Sequence, residues 1–305
     1  RDLHSFPTRR SSDLVIEESE ELLRKLRQGE KLPLFSSCCP GWVSYAENRH
    51  PDLLPQLSTC KSPMEMFSSV VKEDAVLNPQ LQLDPREPYV VAVMPCTAKK
   101  YEAARDELAL EGQPRTDLVL TTKELAMMIR QAGIRFNELA PEAHDLLFGM
   151  YSGAGVLFGV TGGVTEAVIR RLIADKSNRS MNNTQFLGVR GLEGVKELTV
   201  PYEGREIRIA IVSGLKNADT LIRKIKSGEI YYDFVEVMAC PGGCINGGGQ
   251  PIANLAGREE RAEVLYADDR LSEVRHSEGN PQVKVAYDRI IKDQQHRLLH
   301  VHYGR

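Results

Sequence analysis

From Phe234 to Pro251 the chain reads Phe-Val-Glu-Val-Met-Ala-Cys-Pro-Gly-Gly-Cys-Ile-Asn-Gly-Gly-Gly-Gln-Pro, and no other stretch constrains the fold as much. The apolar run Phe234–Met238 predicts a buried strand, which delivers two thiols, Cys240 and Cys244, into a turn. So many glycines around two cysteines predict backbone lying close against a bulky non-protein object, with N–H groups left to donate to it. An iron–sulfur cluster has those needs, because thiolates hold the iron and N–H donors tune the sulfurs. A zinc knuckle and a plain turn with two buried thiols remain the alternatives on this stretch alone.

The rest of the chain narrows the class. Its 305 residues allow one large domain or two moderate ones, and the formal net charge of −3 argues for neither a nucleic-acid nor an acidic-membrane partner. No apolar run approaches the roughly 18 residues of a membrane span. Six cysteines in a chain this long are not a disulfide scaffold, and no secretory signal is visible, so a reducing, cytoplasmic setting is expected. Residues 1–12 have no apolar period and open without Met; they resemble translated sequencing-adapter sequence and are expected to be an unstructured tail.

Strands and helices alternate. Helical spacing runs from Leu14 to Gln28, with Gly29 as a stop. A short strand, Leu32 to Ser36, ends at Cys38-Cys39-Pro40, and helices follow at Trp42–Asn48 and Met64–Ala75. A proline-bearing loop is expected over Asn78–Pro88. Tyr89–Met94 is apolar throughout, as in a strand covered on both faces, and ends at Pro95-Cys96. A charged helix is expected over Lys99–Glu111, a strand over Asp117–Leu120, and a helix capped at Thr121-Thr122 and running to Gln131. Thr161-Gly-Gly163 leads into a helix ending near Ala174, and Asp175–Asn183 reads as a polar loop. Strands are expected at Phe186–Arg190, Lys196–Val200 and Ile207–Val212, the last two as a hairpin about Glu203-Gly204. Helices are expected at Lys216–Lys226, Glu259–Val274 and Pro281–Asp293. This pattern predicts an α/β class with mainly parallel sheets, and ligands at the carboxyl ends of strands.

Four cysteines, Cys39, Cys96, Cys240 and Cys244, share one context of strand, turn and thiol, which suits a [4Fe–4S] cubane. Cys38 sits beside one of them, and Cys60 reads as a small buried hydrophobe. The glycines from Gly153 to Gly163 lack the Lys-Ser/Thr of a P-loop, so close packing is the better reading.

Three segments together carry a specific resemblance: Ser37-Cys-Cys-Pro-Gly-Trp42, Met94-Pro-Cys-Thr-Ala-Lys-Lys-Tyr-Glu102 and Glu236–Pro251 resemble the signature motifs of iron-only, or [FeFe], hydrogenases. The similarity extends from about Asp13 to the C-terminus and includes Tyr151–Gly155, Phe158–Gly163 and Arg190-Gly191. It implies two lobes of small, mainly parallel sheets flanked by helices, with the iron–sulfur site in the cleft between them. As expectations, residues 13–135 form the first lobe, 136–257 an incomplete second lobe whose upstream segment is missing, and 258–305 a helical closing segment. The implied cofactor is the H-cluster, a [4Fe–4S] cubane joined to a two-iron unit bearing CO, CN and a bridging dithiolate. By position, Cys39, Cys96, Cys240 and Cys244 would hold the cubane, with Cys244 bridging to the two-iron unit. Lys99 would donate to a cyanide, while Met94, Pro95, Met238 and Phe158 would line the two-iron pocket. Cys38, Ser58, Glu21 and Glu18 would relay protons. Ordinary readings of these residues are a solvated lysine and a solvated helix face with Glu20–Arg24 and Glu21–Lys25 pairs. Ala98 and Met64 depart from the family pattern, which more often has Ser and Gln there.

The implied activity is reversible reduction of protons to H2, with a ferredoxin or another redox protein or subunit as electron partner. A non-enzymatic assembly or recognition factor of the same fold is the alternative, and a hydrogen-sensing member is a third reading. The Cys38-Cys39 pair and Lys99 favour the enzyme.

Overall fold

The computed structural model describes residues 11–77, 88–140 and 150–304. The chain opens with α1 Ser11–Gln28, β1 Leu34–Phe35, α2 Pro40–Arg49 and α3 Pro63–Leu77. There follow β2 Val91–Met94, α4 Ala98–Ala103, β3 Leu118–Thr121 and α5 Thr122–Gln131. The middle carries α6 Gly153–Val156, α7 Gly163–Leu172, α8 Asn178–Thr184, β4 Val195–Tyr202 and β5 Arg205–Ser213. The last part is α9 Leu215–Lys226, β6 Phe234–Met238, α10 Leu255–Leu271, α11 Pro281–Ala286 and α12 Gln295–Leu299.

Two small sheets organise these elements: a four-stranded sheet in the order β1-β6-β5-β4 and a two-stranded sheet of β2 and β3. Three of the four pairings are parallel, and β4–β5 is the expected antiparallel hairpin about Glu203-Gly204. The class is α/β, as the alternation of strands and helices predicts. β1, from early in the chain, pairs with β6, so the larger sheet joins distant segments.

Both faces of the larger sheet are covered, which is why β6 is buried along its whole length. Its alternate residues part to opposite sides. Phe234 and Met238 join Val15 and Leu22 of α1 and Val164 and Val168 of α7 in one core. Val235 and Val237 join Phe35, Trp42 of α2 and Leu221 and Ile222 of α9 in the other. Each fully buried side chain of this size contributes roughly 1.5–3 kcal/mol. Trp42 pairs its indole N–H with the Ser36 carbonyl at 3.0 Å, so its burial leaves no donor unpaired.

Several expectations fail for identifiable reasons. The Tyr89–Met94 strand is not covered on both faces: Tyr89 is 70% and Val91 46% exposed. An apolar run of that length does not distinguish a central strand from one in a two-stranded sheet. The Lys99–Glu111 helix ends at Ala103; a 3₁₀ turn at Asp106–Leu108 follows, because Arg105 leaves the helix to pair with Glu47. The polar loop Asp175–Asn183 holds α8, capped by the Ser177 hydroxyl, which accepts from the Ser180 amide. The strand expected at Phe186–Arg190 is a 3₁₀ turn, Gln185–Leu187, ended by Gly188 at φ +80°. The C-terminal helix leaves α geometry at Ala286 and continues as a π turn, Tyr287–Ile291. The helix expected from Leu14 begins at Ser11. The loop expected at Asn78–Pro88 lies almost wholly outside the described residues.

Candidate metal centre

Three strand ends meet here. β1 and β6 run parallel, so their carboxyl ends bring Cys39 and Cys240 to the same edge of the larger sheet. Cys39 stands at the N-cap of α2, its carbonyl accepting from the Trp42 and Val43 amides at 3.0 Å. The Ala239 amide, at the end of β6, lies 3.4 Å from the Cys39 sulfur. β2 ends at Met94 and delivers Pro95 and Cys96 from the smaller sheet.

The Cys240–Pro251 loop ties the two sheets together. The Gly249 amide donates to the Pro95 carbonyl at 3.0 Å, and the Gly249 carbonyl accepts from Lys123 at 3.0 Å. On the other side the Gly242 carbonyl accepts from the Thr161 amide at 3.2 Å. Two of these glycines are also required by the protein's own packing. A Cβ on Gly247 would come within 2.1 Å of the Pro95 oxygen, and one on Gly243, at φ +95°, within 2.5 Å of the Thr161 nitrogen. Close backbone packing inside the protein requires glycine there. The Gly153–Gly163 segment follows the packing reading: a Cβ on Gly163 would lie 1.7 Å from the Leu157 oxygen.

A partly open cavity of about 70 Å³ lies where these ends converge. Cys38, Met94, Pro95, Cys96, Lys99, Phe158, Met238 and Cys244 all line it, from both sheets. Pro63, Met64, Gly159, Ile245 and Gln250 complete the wall, positions that sequence reasoning did not assign to it. The wall is almost entirely apolar apart from the thiols and Lys99. Cys39 and Cys240 stand behind it, close enough that each of the four expected ligand thiols acts electrostatically on Cys244 or on its neighbours. Burial, then mutual repulsion, pushes the Cys244 thiol well up and Cys240 up to about 11.

Lys99 is buried at the start of α4. Its ammonium donates to Glu102 Oε2 at 2.7 Å and to the Cys38 carbonyl at 3.2 Å. Burial would lower its pKa, but the Glu102 carboxylate outweighs that and holds the ammonium charged. Glu102 also accepts from the Ser62 hydroxyl at 2.9 Å.

Behind Cys38 runs a line of buried polar groups. Glu18 of α1 is fully buried, and among the described residues neither carboxyl oxygen has a well-formed hydrogen bond. Burial first, and then the charges of Glu21 and Glu236, raise its pKa well above the usual range. Burial and then Glu18 raise Cys38 likewise. The Ser58 hydroxyl donates to Glu21 Oε2 at 2.8 Å, and the Thr59 amide donates to the same oxygen at 3.0 Å. Glu21 reaches a surface groove lined also by Arg24, Lys25 and Thr59. The solvated-face pairs do not form among the described residues: Lys25 meets Glu30 at 3.3 Å, and Glu20 pairs with Arg171. Cys60 is fully buried, as expected.

Sequence reasoning missed Glu236. It lies fully buried in β6, and its two oxygens accept from the Gly162 and Thr165 amides, each at 2.7 Å. A strand carboxylate thus caps α7 from outside the helix. The signal was present as one acidic residue inside the apolar run Phe234–Met238.

Among the described residues, no helix is long and apolar enough to cross a membrane.

Comparison with known proteins agrees with this geometry. Residues 4–248 match the family described as iron only hydrogenase large subunit, C-terminal domain, and residues 255–305 match iron hydrogenase small subunit. The NADP-reducing hydrogenase subunit HndD of Solidesulfovibrio fructosivorans is 40% identical over 98% of this chain and 53% of its own length. A solved structure of [FeFe]-hydrogenase HydA1 from Chlamydomonas reinhardtii superposes with a TM-score of 0.77 at 36% identity, covering 96% of this chain and 83% of that one. The cytosolic iron-sulfur assembly component 3 of Rattus norvegicus is 35% identical over 95% of this chain and 63% of its own length. The chain spans between about half and two thirds of the length of the hydrogenase relatives it matches. On sequence and on fold alike, this chain belongs to the iron-only, or [FeFe], hydrogenase family.

Proposed function

We propose that this chain is the catalytic domain of an [FeFe]-hydrogenase that reversibly reduces protons to H2. The observation that carries the reading is the convergence of Cys38 and Lys99 with Cys96 and Cys244 on one apolar cavity, backed by a buried carboxyl line to the surface. The donor set fits the implied group. The four thiols act electrostatically on one another, and four neighbouring thiols are the donor set of a cubane.

When bound, the cubane and its two-iron unit supply the redox chemistry at which hydrogen is made or split. Cys39, Cys96, Cys240 and Cys244 would hold the cubane as thiolates. Deprotonating four thiols releases protons on loading, so loading is favoured by higher pH. Lys99, held by Glu102, would present its ammonium to an anionic ligand of the cluster. Met94, Pro95, Met238 and Phe158 shape the apolar wall and exclude water. Cys38 takes or gives the proton, and Glu18, Ser58 and Glu21 pass it to the surface groove. The raised pKa of Glu18, caused first by burial, suits this, because a carboxyl that holds its proton more tightly can both donate and accept.

Relatives at 35% identity are named as iron–sulfur assembly components, so a non-enzymatic cluster protein is the second reading. The electron partner is proposed to be a ferredoxin or another redox protein or subunit. The cytoplasm is proposed as the compartment, in line with relatives named as cytosolic.

The test is reconstitution of the natural full-length protein. CO and CN infrared bands with hydrogen evolution support the enzyme; a cubane signal without either supports the assembly reading. In the enzyme, Lys99→Ala is expected to lose or loosen the CO and CN bands while keeping the cubane signal. Loaded Cys38→Ala and Glu18→Gln are expected to lower turnover by about 10²-fold or more with the bands intact.

A further inference from the structure

The C-terminal segment crosses the loop before α3 and pairs with it. The Lys61 amide donates to the Leu299 carbonyl at 2.8 Å, and the Val301 amide to the Thr59 carbonyl at 2.7 Å. This short antiparallel bridge sets His300 beside α1. His300 Nδ1 lies 2.8 Å from the Thr59 hydroxyl, and Nε2 lies 2.8 Å from Glu17 Oε2. The Tyr287 hydroxyl donates to the other Glu17 oxygen at 2.6 Å. On its far side the Thr59 hydroxyl lies 3.4 Å from Glu21 Oε2. A carboxylate, an imidazole, a hydroxyl and a second carboxylate therefore stand in an unbroken line, and Glu17 and His300 each keep about a tenth of their side chain open to solvent.

A histidine that only pinned the C-terminus would need one partner. Here both ring nitrogens are engaged, and one partner reaches the relay carboxylate. Thr59 has a single hydroxyl proton. With Nδ1 unprotonated, that proton points to His300; with Nδ1 protonated, the hydroxyl accepts from it and turns its own proton to Glu21. The state of His300 is thus transmitted to Glu21 by hydroxyl orientation.

We propose that Glu17, His300 and Thr59 form a second proton port onto Glu21, so that the segment matching the small-subunit family supplies a relay residue to the site. Use of those protons rests on the hydrogenase reading. The transfer balances: a proton bound at Glu17 passes to Nε2, the Nδ1 proton passes to the Thr59 oxygen, and the Thr59 proton passes to Glu21 Oε2. No electrons move, and ring tautomerisation resets the line. The titratable groups facing His300 are Glu17 and Glu21 from α1, Cys60 from the bridged segment, Tyr287, and His296, whose ring centroid is 5.0 Å away. Burial would raise Glu17, but hydrogen bonds from His300 and Tyr287 outweigh it and keep the carboxyl below its usual range.

The experiment follows the His300 ring by ¹⁵N NMR in the full chain, beside turnover and infrared spectra of the loaded protein. Glu21→Gln is expected to shift the His300 titration, and Thr59→Val to abolish that sensitivity and move the Nδ1 resonance. Loaded Thr59→Val and His300→Gln are expected to lose turnover several-fold and flatten the acid limb of the pH profile, with unchanged CO and CN bands; Thr59→Ser restores both. A His300 titration identical in wild type, Glu21→Gln and Thr59→Val overturns the port whatever the activity. Unchanged turnover from pH 5 to 9 in both loaded variants overturns it too. A loaded wild type that makes no hydrogen defeats the hydrogenase reading instead, and the NMR arm still decides the wiring.

Discussion

Glu65 shows how much one buried group can weigh. It lies at the start of α3 beside Met64, which lines the cavity, and one carboxyl oxygen has no partner among the described residues. Burial first, and then the Glu102 charge, push its pKa up to about 7. The folded state therefore holds this proton more tightly than the unfolded chain, whose carboxyl titrates near 4.5. Its contribution is fully present below pH 4.5, falls as pH rises towards 7 and is constant above that. The swing is about 3 kcal/mol. Glu65→Gln removes the titration, so the decline in stability from pH 4.5 to 7 is expected to flatten. Urea melts of the cluster-free protein across that range measure it, and an unchanged slope would show that Glu65 titrates normally.

At the scale of elements, the link between β6 and α7 stands out. Four of the five β6 side chains pack against apolar neighbours, while Glu236 spends its charge on the amides at the α7 N-terminus. That cap fixes the Gly162-Gly163 turn, and the preceding residues abut Gly243 between the two expected ligand cysteines. Lys196 supports the same turn from β4, donating to the carbonyls of Thr161, Val189 and Gly191 at 3.1, 2.7 and 2.9 Å. Glu236→Gln keeps the shape but turns one acceptor into a donor facing an N–H. The expected cost is about 2–3 kcal/mol in chemical denaturation. A loss below about 0.5 kcal/mol would mean that the cap is replaceable.

For the whole molecule, the parts matching the large- and small-subunit families share one buried ion cluster. Asp269 of α10 accepts from Arg170 of α7 at 2.6 and 2.8 Å, from Arg190 at 2.9 Å and from Arg275 at 2.7 Å. Burial would raise its carboxyl, but these guanidiniums hold it down to about 2. Glu166 meets Arg170 at 2.7 Å and Arg190 at 2.9 Å. Three cations thus depend on two carboxylates inside the protein. Asp269→Asn leaves them short of charge, and a loss of roughly 3–5 kcal/mol is expected. Thermal and urea unfolding of the variant checks this; a wild-type midpoint would show that water or Glu166 alone suffices.

Much of this was legible in the chain itself. Strand, turn and cysteine recurred at Cys39, Cys96 and Cys240, and that local pattern sufficed to expect an α/β fold with thiols at strand ends. Thr121 illustrates why: its hydroxyl accepts from the Glu124 amide and Glu124 answers its own amide, a cap contained in four residues. Lys99 and Glu18 were named through resemblance, because exposed lysines and glutamates look the same in a sequence. Their burial depends on elements far away in the chain: Lys99 leans on Cys38, and Glu18 lies under the core that α1 shares with α7. The oxygen that excludes a Cβ at Gly247 belongs to Pro95, a constraint that no local pattern in the Cys240–Pro251 loop reveals. Local pattern is written in consecutive residues, and the sequence by itself determined it. Burial and ion pairing join segments that are distant in the chain, such as Arg170 with Asp269, and His300 meets Thr59 from more than two hundred residues away; only the tertiary structure decided those.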